Sequence, residues 1–95
     1  MTRVRVGPGD DPAALVGAVR GESVLAMLDP ALEALELATA RAAIGPLAVE
    51  RAPATRVNAL LASADADPAD VEAAARFLEG ARSTTGQVLE VGRRS

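Results

Sequence analysis

Arg56-Val57-Asn58-Ala59-Leu60-Leu61, followed after a short connection by Asp67-Pro68-Ala69-Asp70-Val71-Glu72-Ala73-Ala74-Ala75-Arg76-Phe77-Leu78-Glu79-Gly80, decides the fold class. The first stretch is nearly continuous in apolar residues, the pattern of a strand buried on both faces. The second opens on an aspartate, whose carboxylate accepts the free amides of a first helical turn. Pro68 at the first helical position sacrifices no bond there. Val71, Ala74, Ala75 and Leu78 recur at helical spacing. Asp70 adds negative charge where the helix dipole favours it, and Gly80 is placed to end the helix. A buried strand feeding a helix is the unit of a parallel α/β sheet.

The same device recurs upstream. Asp11-Pro12-Ala13 and Asp29-Pro30-Ala31 each precede an apolar-periodic run, which predicts two more helices. The first carries Leu15, Val16 and Val19 on one face and stops at Gly21. The middle helix runs from about Pro30 to Ala52 and is apolar most of the way round, so burial on more than one side is expected. Gly45-Pro46 predicts a kink or a short break within it. Ala34, Ala38, Ala42 and Gly45 form a small-residue stripe suited to close helix–helix approach, with high alanine content as the equal and blander reading. Thr2-Arg3-Val4-Arg5-Val6 alternates as an edge or half-wet strand does. Ser23-Val24-Leu25-Ala26-Met27-Leu28 is another buried run, and Gln87-Val88-Leu89-Glu90-Val91 is a mixed run placed at an edge. The order is βαβαβαβ. It predicts a half-length, Rossmann-like α/β domain over residues 1–95, with a four-stranded, mostly parallel sheet.

That pattern raises a packing problem. If the strands lie in sequence order, right-handed crossovers put all three helices on one face and leave the other bare. A parallel sheet with a bare apolar face is unstable in water. The expected solutions are one reversal of winding (a 2-1-3-4 order) or a second chain over the open face, and both edges also invite pairing. Oligomerisation is therefore expected.

Composition narrows the chemistry. Of 95 residues, 49% are hydrophobic and 24% charged, which is globular composition for one domain. There is no Cys, His, Trp or Tyr, and all ten basic residues are arginine. Disulfide frameworks, His/Cys metal sites, Cys or Lys nucleophiles and His or Tyr acid–base catalysis are excluded. A net charge of −3 gives no basic footprint for nucleic acid, and Phe77 alone makes no stacking platform. The longest apolar run, Val24 to Leu28, falls far short of the roughly 18–20 residues that span a bilayer. The first residues lack the apolar region of a signal peptide, so a cytoplasmic protein without a membrane partner is expected.

Gly7-Pro8-Gly9 follows a strand and precedes a helix, as a phosphate loop does. Asp10 and Asp11 stand where the phosphate would sit and repel it, so the segment reads as a turn plus a cap. Glu33 and Glu36 read as a solvated helix face; Asp65, Asp67 and Asp70 form an acidic cluster that could weakly hold a divalent cation, though its spacing matches no calcium loop and capping accounts for Asp67. Asn58, in mid-strand with an amide that needs partners, reads as structural. Arg93-Arg94 reads as a charged tail.

Several segments in order carry a resemblance: Ala48-Val49-Glu50 near a helix end, Thr55-Arg56-Val57-Asn58-Ala59-Leu60, the Asp67–Leu78 helix, and Thr84-Thr85-Gly86-Gln87-Val88-Leu89-Glu90-Val91. Through them residues 35–94 resemble the C-terminal part of short-chain dehydrogenases/reductases. The family's Gly-x-x-x-Gly-x-Gly dinucleotide turn has no counterpart within a complete βαβ unit. Its catalytic Tyr and Lys fall near Glu33 and Leu37, its catalytic Ser near Asp29 or Pro30, and its Pro-Gly after the Asn-Ala strand at Ala62-Ser63. The resemblance thus implies a truncated relative with no catalytic residues, no cofactor and no metal. In the family the long helix packs against its twin, and the final strand with its preceding helix forms a second subunit contact.

The expected function is a non-catalytic pseudo-subunit or scaffold. It would assemble through its long helix and open sheet, as a homodimer or with a full-length short-chain dehydrogenase/reductase, with Leu35, Ala38, Ala42, Leu47, Phe77 and Leu89 at the interface. The alternative is a small ligand-binding or regulatory module with contacts from Gly7, Gly9, Asp29, Asn58 and Ser63, at the carboxyl ends of the strands where open sheets bind ligands.

Overall fold

Four parallel strands, Thr2–Val6 (β1), Ser23–Leu28 (β2), Arg56–Ala62 (β3) and Val88–Val91 (β4), lie side by side in chain order. Three helices join them: Pro12–Gly17 (α1), Ala34–Arg51 (α2) and Pro68–Gly80 (α3). The computed structural model describes residues 2–92, so Arg93 and Arg94 lie outside the described residues. The Rossmann-like α/β reading holds, with the sheet parallel throughout.

Successive side chains of a strand point to opposite faces, and here the two faces bury different helices. Val6, Val24, Ala26, Leu28, Val57 and Ala59 pack with Val16 of α1 and with Ala40, Ile44, Leu47 and Ala48 of α2. Leu25 and Leu60 pack with Ala75 and Leu78 of α3, joined by Met27, Leu89 and Val91. This corrects the expectation that a sheet in chain order leaves one face bare. All three crossovers advance the same way across the sheet, yet α3 lies on the face opposite α1 and α2. The β3–α3–β4 connection therefore has the opposite hand from the two before it, against the strong preference for one hand. Neither a reversed strand order nor a second chain is needed to cover that face.

The capping reading holds at the atomic level. Asp11, Asp29 and Asp67 each accept the amide two residues on, from Ala13, Ala31 and Ala69 at 3.0, 2.8 and 2.8 Å. Two of these bonds open helices. After Asp29 the chain makes a turn first, with the Leu32 amide on the Asp29 carbonyl, and α2 starts only at Ala34. The first helix also ends earlier than expected, at Gly17 rather than Gly21. Arg51 of α2 donates to the Val16 and Val19 carbonyls at 2.8 and 2.6 Å, satisfying groups that further helical turns would have used.

No break occurs at Gly45-Pro46, for α2 runs unbroken through both. Proline cannot bond the carbonyl four residues back, here that of Ala42. Ala42 and Pro46 both lie on the exposed side, so the carbonyl freed by the proline is not sealed in the core.

Candidate functional site

Each helix layer is narrower than the sheet, and the geometry follows from that. On the α3 side β1 overhangs; on the α1/α2 side β4 overhangs. β1 turns Val4 and Val6 toward α1 and α2, so Arg3 and Arg5 project on the α3 side. Arg3 reaches across β2 to α3, donating to Glu72 at 3.0 and 2.7 Å and to Glu79 at 2.9 and 2.8 Å. Hydrogen bonds from Arg3 hold the Glu72 carboxyl down at about 2 and lower that of Glu79. Arg5 pairs with Asp29 at 2.7 Å. The Ala31 amide, then Arg5, depress the Asp29 carboxyl below its ordinary value.

On the other side the charges are reversed, with Glu90 on the strand and Arg41 on the helix, joined Nη1 to Oε1. Beside this pair, at the carboxyl ends of β3 and β4, opens a cleft of about 440 Å3 lined by Pro30, Leu37, Leu61, Ala62, Ser63, Ala64, Glu90, Val91 and Gly92. A second cleft, about 380 Å3, lies under the β1 overhang, and its charged walls Arg3, Arg5 and Asp29 are all in ion pairs.

The three loops that leave β1, β2 and β3 at this end of the sheet are acidic: Asp10 and Asp11 after β1, Asp29 and Glu33 after β2, Asp65 and Asp67 after β3. The carboxylates of Asp10, Asp11, Asp29 and Asp67 accept backbone amides that an anionic ligand would use, whereas Glu33 makes no such bond at the start of α2. Asp10 accepts from the Gly7 amide at 2.9 Å, and Glu36 from Gly9 at 3.0 Å. Gly9, with φ +84°, sits after Pro8 at the position where a type II turn requires glycine. The segment is the turn and cap that its sequence indicates. Asp65 accepts the Ser63 hydroxyl at 2.7 Å and Asp67 caps α3. Among the described residues no group of acidic side chains is placed to hold a metal ion.

The residues named from sequence are dispersed. Gly7, Gly9 and Asp29 cluster where β1 and β2 end, and Ser63 lines the larger cleft. Asn58 is 1% exposed under the β4 connection, its Nδ2 donating to the Thr84 carbonyl and its Oδ1 accepting the Gln87 amide. It has no free group for a ligand and acts as a clamp on that loop. Among the interface residues, Leu35, Ala38 and Ala42 lie on one exposed line of α2, and Phe77 is exposed on α3. Leu47 faces the sheet, 8% exposed, and Leu89 packs beneath α3. Sequence reading missed Val49 and Pro46, which complete the α2 line, and its signal was their spacing from Ala42.

The comparison with protein families now bears on this geometry. The family described as SDR-like, short chain dehydrogenase-like protein, matches residues 11–91. The chain belongs to this SDR-like family. No curated protein and no solved structure matches it. In this SDR-like chain Leu37, which the resemblance aligns with the catalytic lysine, forms an apolar wall of the larger cleft, with Pro30 beside it. The residues do not fit the dinucleotide of the resembled family. The amides of the first strand-to-helix turn are held by carboxylates, and the loops around them would repel a pyrophosphate. Among the described residues no helix is long and apolar enough to cross a membrane.

Proposed function

We propose that this SDR-like chain is a non-catalytic pseudo-subunit or scaffold that assembles through α2, with a second copy of itself or with a full-length short-chain dehydrogenase/reductase. One observation carries the reading. Leu35, Ala38, Ala42, Pro46 and Val49 form an exposed apolar line along α2, with Leu35 80% and Val49 78% exposed. The line is symmetric about Ala42, large at both ends and small between. A two-fold axis through Ala42 would set two antiparallel α2 helices with Leu35 of one copy against Val49 of the other. That is the self-complementarity an isologous contact requires. The small residues between let the backbones approach.

The sheet edges suit self-assembly less well. Antiparallel pairing of β1 with itself would bring Arg3 and Arg5 of the two copies opposite one another. The absence of Tyr and Lys from the sequence supports the non-catalytic reading.

Light scattering over a concentration series tests the proposal. A dimer is expected, reduced to the 9.6 kDa monomer by Ala42→Arg, which places a charge at the centre of the contact. A wild-type monomer at every concentration that also fails to bind a full-length short-chain dehydrogenase/reductase would overturn it.

A further inference from the structure

Where family resemblance leads one to expect a dinucleotide, charge and lining point to a different ligand. The larger cleft, about 440 Å3, is of the size that holds small molecules. Its walls are apolar or glycine except at two side chains, Ser63 and Glu90. The Ser63 hydroxyl is already given to Asp65, which leaves Glu90 as the one charge among the described residues of the lining. Arg41 engages that carboxylate through Oε1 alone, so Oε2 remains for a second donor. Glu90 is more exposed than Arg41, with 59% of its side chain accessible against 39%, so a ligand can approach it from the cleft.

We propose that this cleft binds a small cationic amphiphile, an apolar body bearing an ammonium group. The body lies on Pro30, Leu37 and Leu61, and the ammonium bonds Glu90. Three observations select this class. The walls offer burial to hydrocarbon, at roughly 25 cal/mol per Å2 covered. The loops bordering this end carry Asp29, Glu33, Asp65 and Asp67, a field that draws in cations and repels carboxylates and phosphates. Among the described residues the cleft also lacks an unpaired cation that an anionic head could reach, since Arg41 is committed to Glu90. The site is separate from the exposed line on α2, so it stands or falls independently of the assembly reading.

Octylammonium chloride, kept below its micellar range, is the probe, and octanoate is its charge-reversed control. Each is titrated into the 15N-labelled full chain while backbone amide shifts are followed. Saturable shifts confined to the amides of Leu61, Ala62, Ser63, Val91 and Gly92 are expected with octylammonium and absent with octanoate. Glu90→Gln should weaken octylammonium about tenfold, the worth of one charge-assisted bond. An unchanged amide spectrum elsewhere shows that the variant is folded. Ala64→Trp, which fills the cleft mouth from an exposed position, should abolish the shifts. Equal binding of octanoate, shifts that map to the outer line of α2, or affinity unmoved by Glu90→Gln would each overturn the proposal.

Discussion

The two overhanging edge strands solve one problem with opposite charge arrangements. Beyond α3, β1 presents Arg3 to Glu72 and Glu79 on the helix; beyond α2, β4 presents Glu90 to Arg41. The first closure uses one guanidinium to tie two turns of α3, with a further arginine on Asp29 beside it. The second is a single contact, and the open cleft lies next to it. A sheet flanked by narrow helix layers need not bury its edge strands in hydrocarbon. Ion pairs that span strand and helix bridge the gap on both sides, and a cleft remains beside each, about 380 Å3 under β1 with charged walls and about 440 Å3 beside β4 with mostly apolar ones.

Between the overhangs the sheet relies on packing, and the contrast predicts an order of effects. Ile44, fully buried against Ala26, Leu28 and Ala59, lies where the α1/α2 layer is thickest. Ile44→Ala should cost about 2–5 kcal/mol, read by urea denaturation. A loss below 1 kcal/mol would mean that α2 is not seated on the sheet as described. Asn58→Ala comes next. It strands the Gln87 amide and the Thr84 carbonyl, at about 1–3 kcal/mol, and should loosen β4 first. Amide exchange that quickens over residues 84–91 ahead of β1 would show this, and uniform quickening would contradict it.

The smallest effect belongs to the overhang itself. Arg3→Met should lower stability modestly at low salt and less in high salt, since the pairs it breaks are partly exposed. Its pH dependence follows from the depressed carboxyl groups. Glu72 sits at about 2 in the folded protein against an ordinary 4.5, and Glu79 is also lowered. The stabilisation is complete above the ordinary value and is lost as pH falls through the folded one. The gap between wild type and Arg3→Met should therefore narrow from about pH 5 down to about pH 2. A gap that stays constant across that range would show that Arg3 acts through its hydrocarbon stem.

Much of this was legible from local chemistry. Asp11 and Asp67 cap as aspartate before Pro-Ala should, and Ser23–Leu28 and Arg56–Ala62 are the buried strands that their unbroken apolar runs imply. Local rules failed where a distant group intervened. α1 stops short because Arg51 takes its last carbonyls, and α2 survives Pro46 because Ala42 lies on the exposed side. The candidate site was half legible. Ser63 lines the cleft, while Asn58 is structural as its mid-strand amide indicates, bonded to the loop before β4 rather than open to a ligand as the alternative reading requires. Glu90, which supplies the charge of the cleft, reads in sequence as one acidic residue in an edge strand.

The sequence by itself determined the element types, their order, the parallel sheet and the loss of histidine, cysteine, tyrosine and lysine chemistry, because capping, periodicity and composition act over a few residues. Only the tertiary structure decided which face α3 takes, how each overhang is closed and where the cleft lies. Those depend on the hand of a crossover and on partners such as Arg3 and Glu79, 76 residues apart, which no local pattern links.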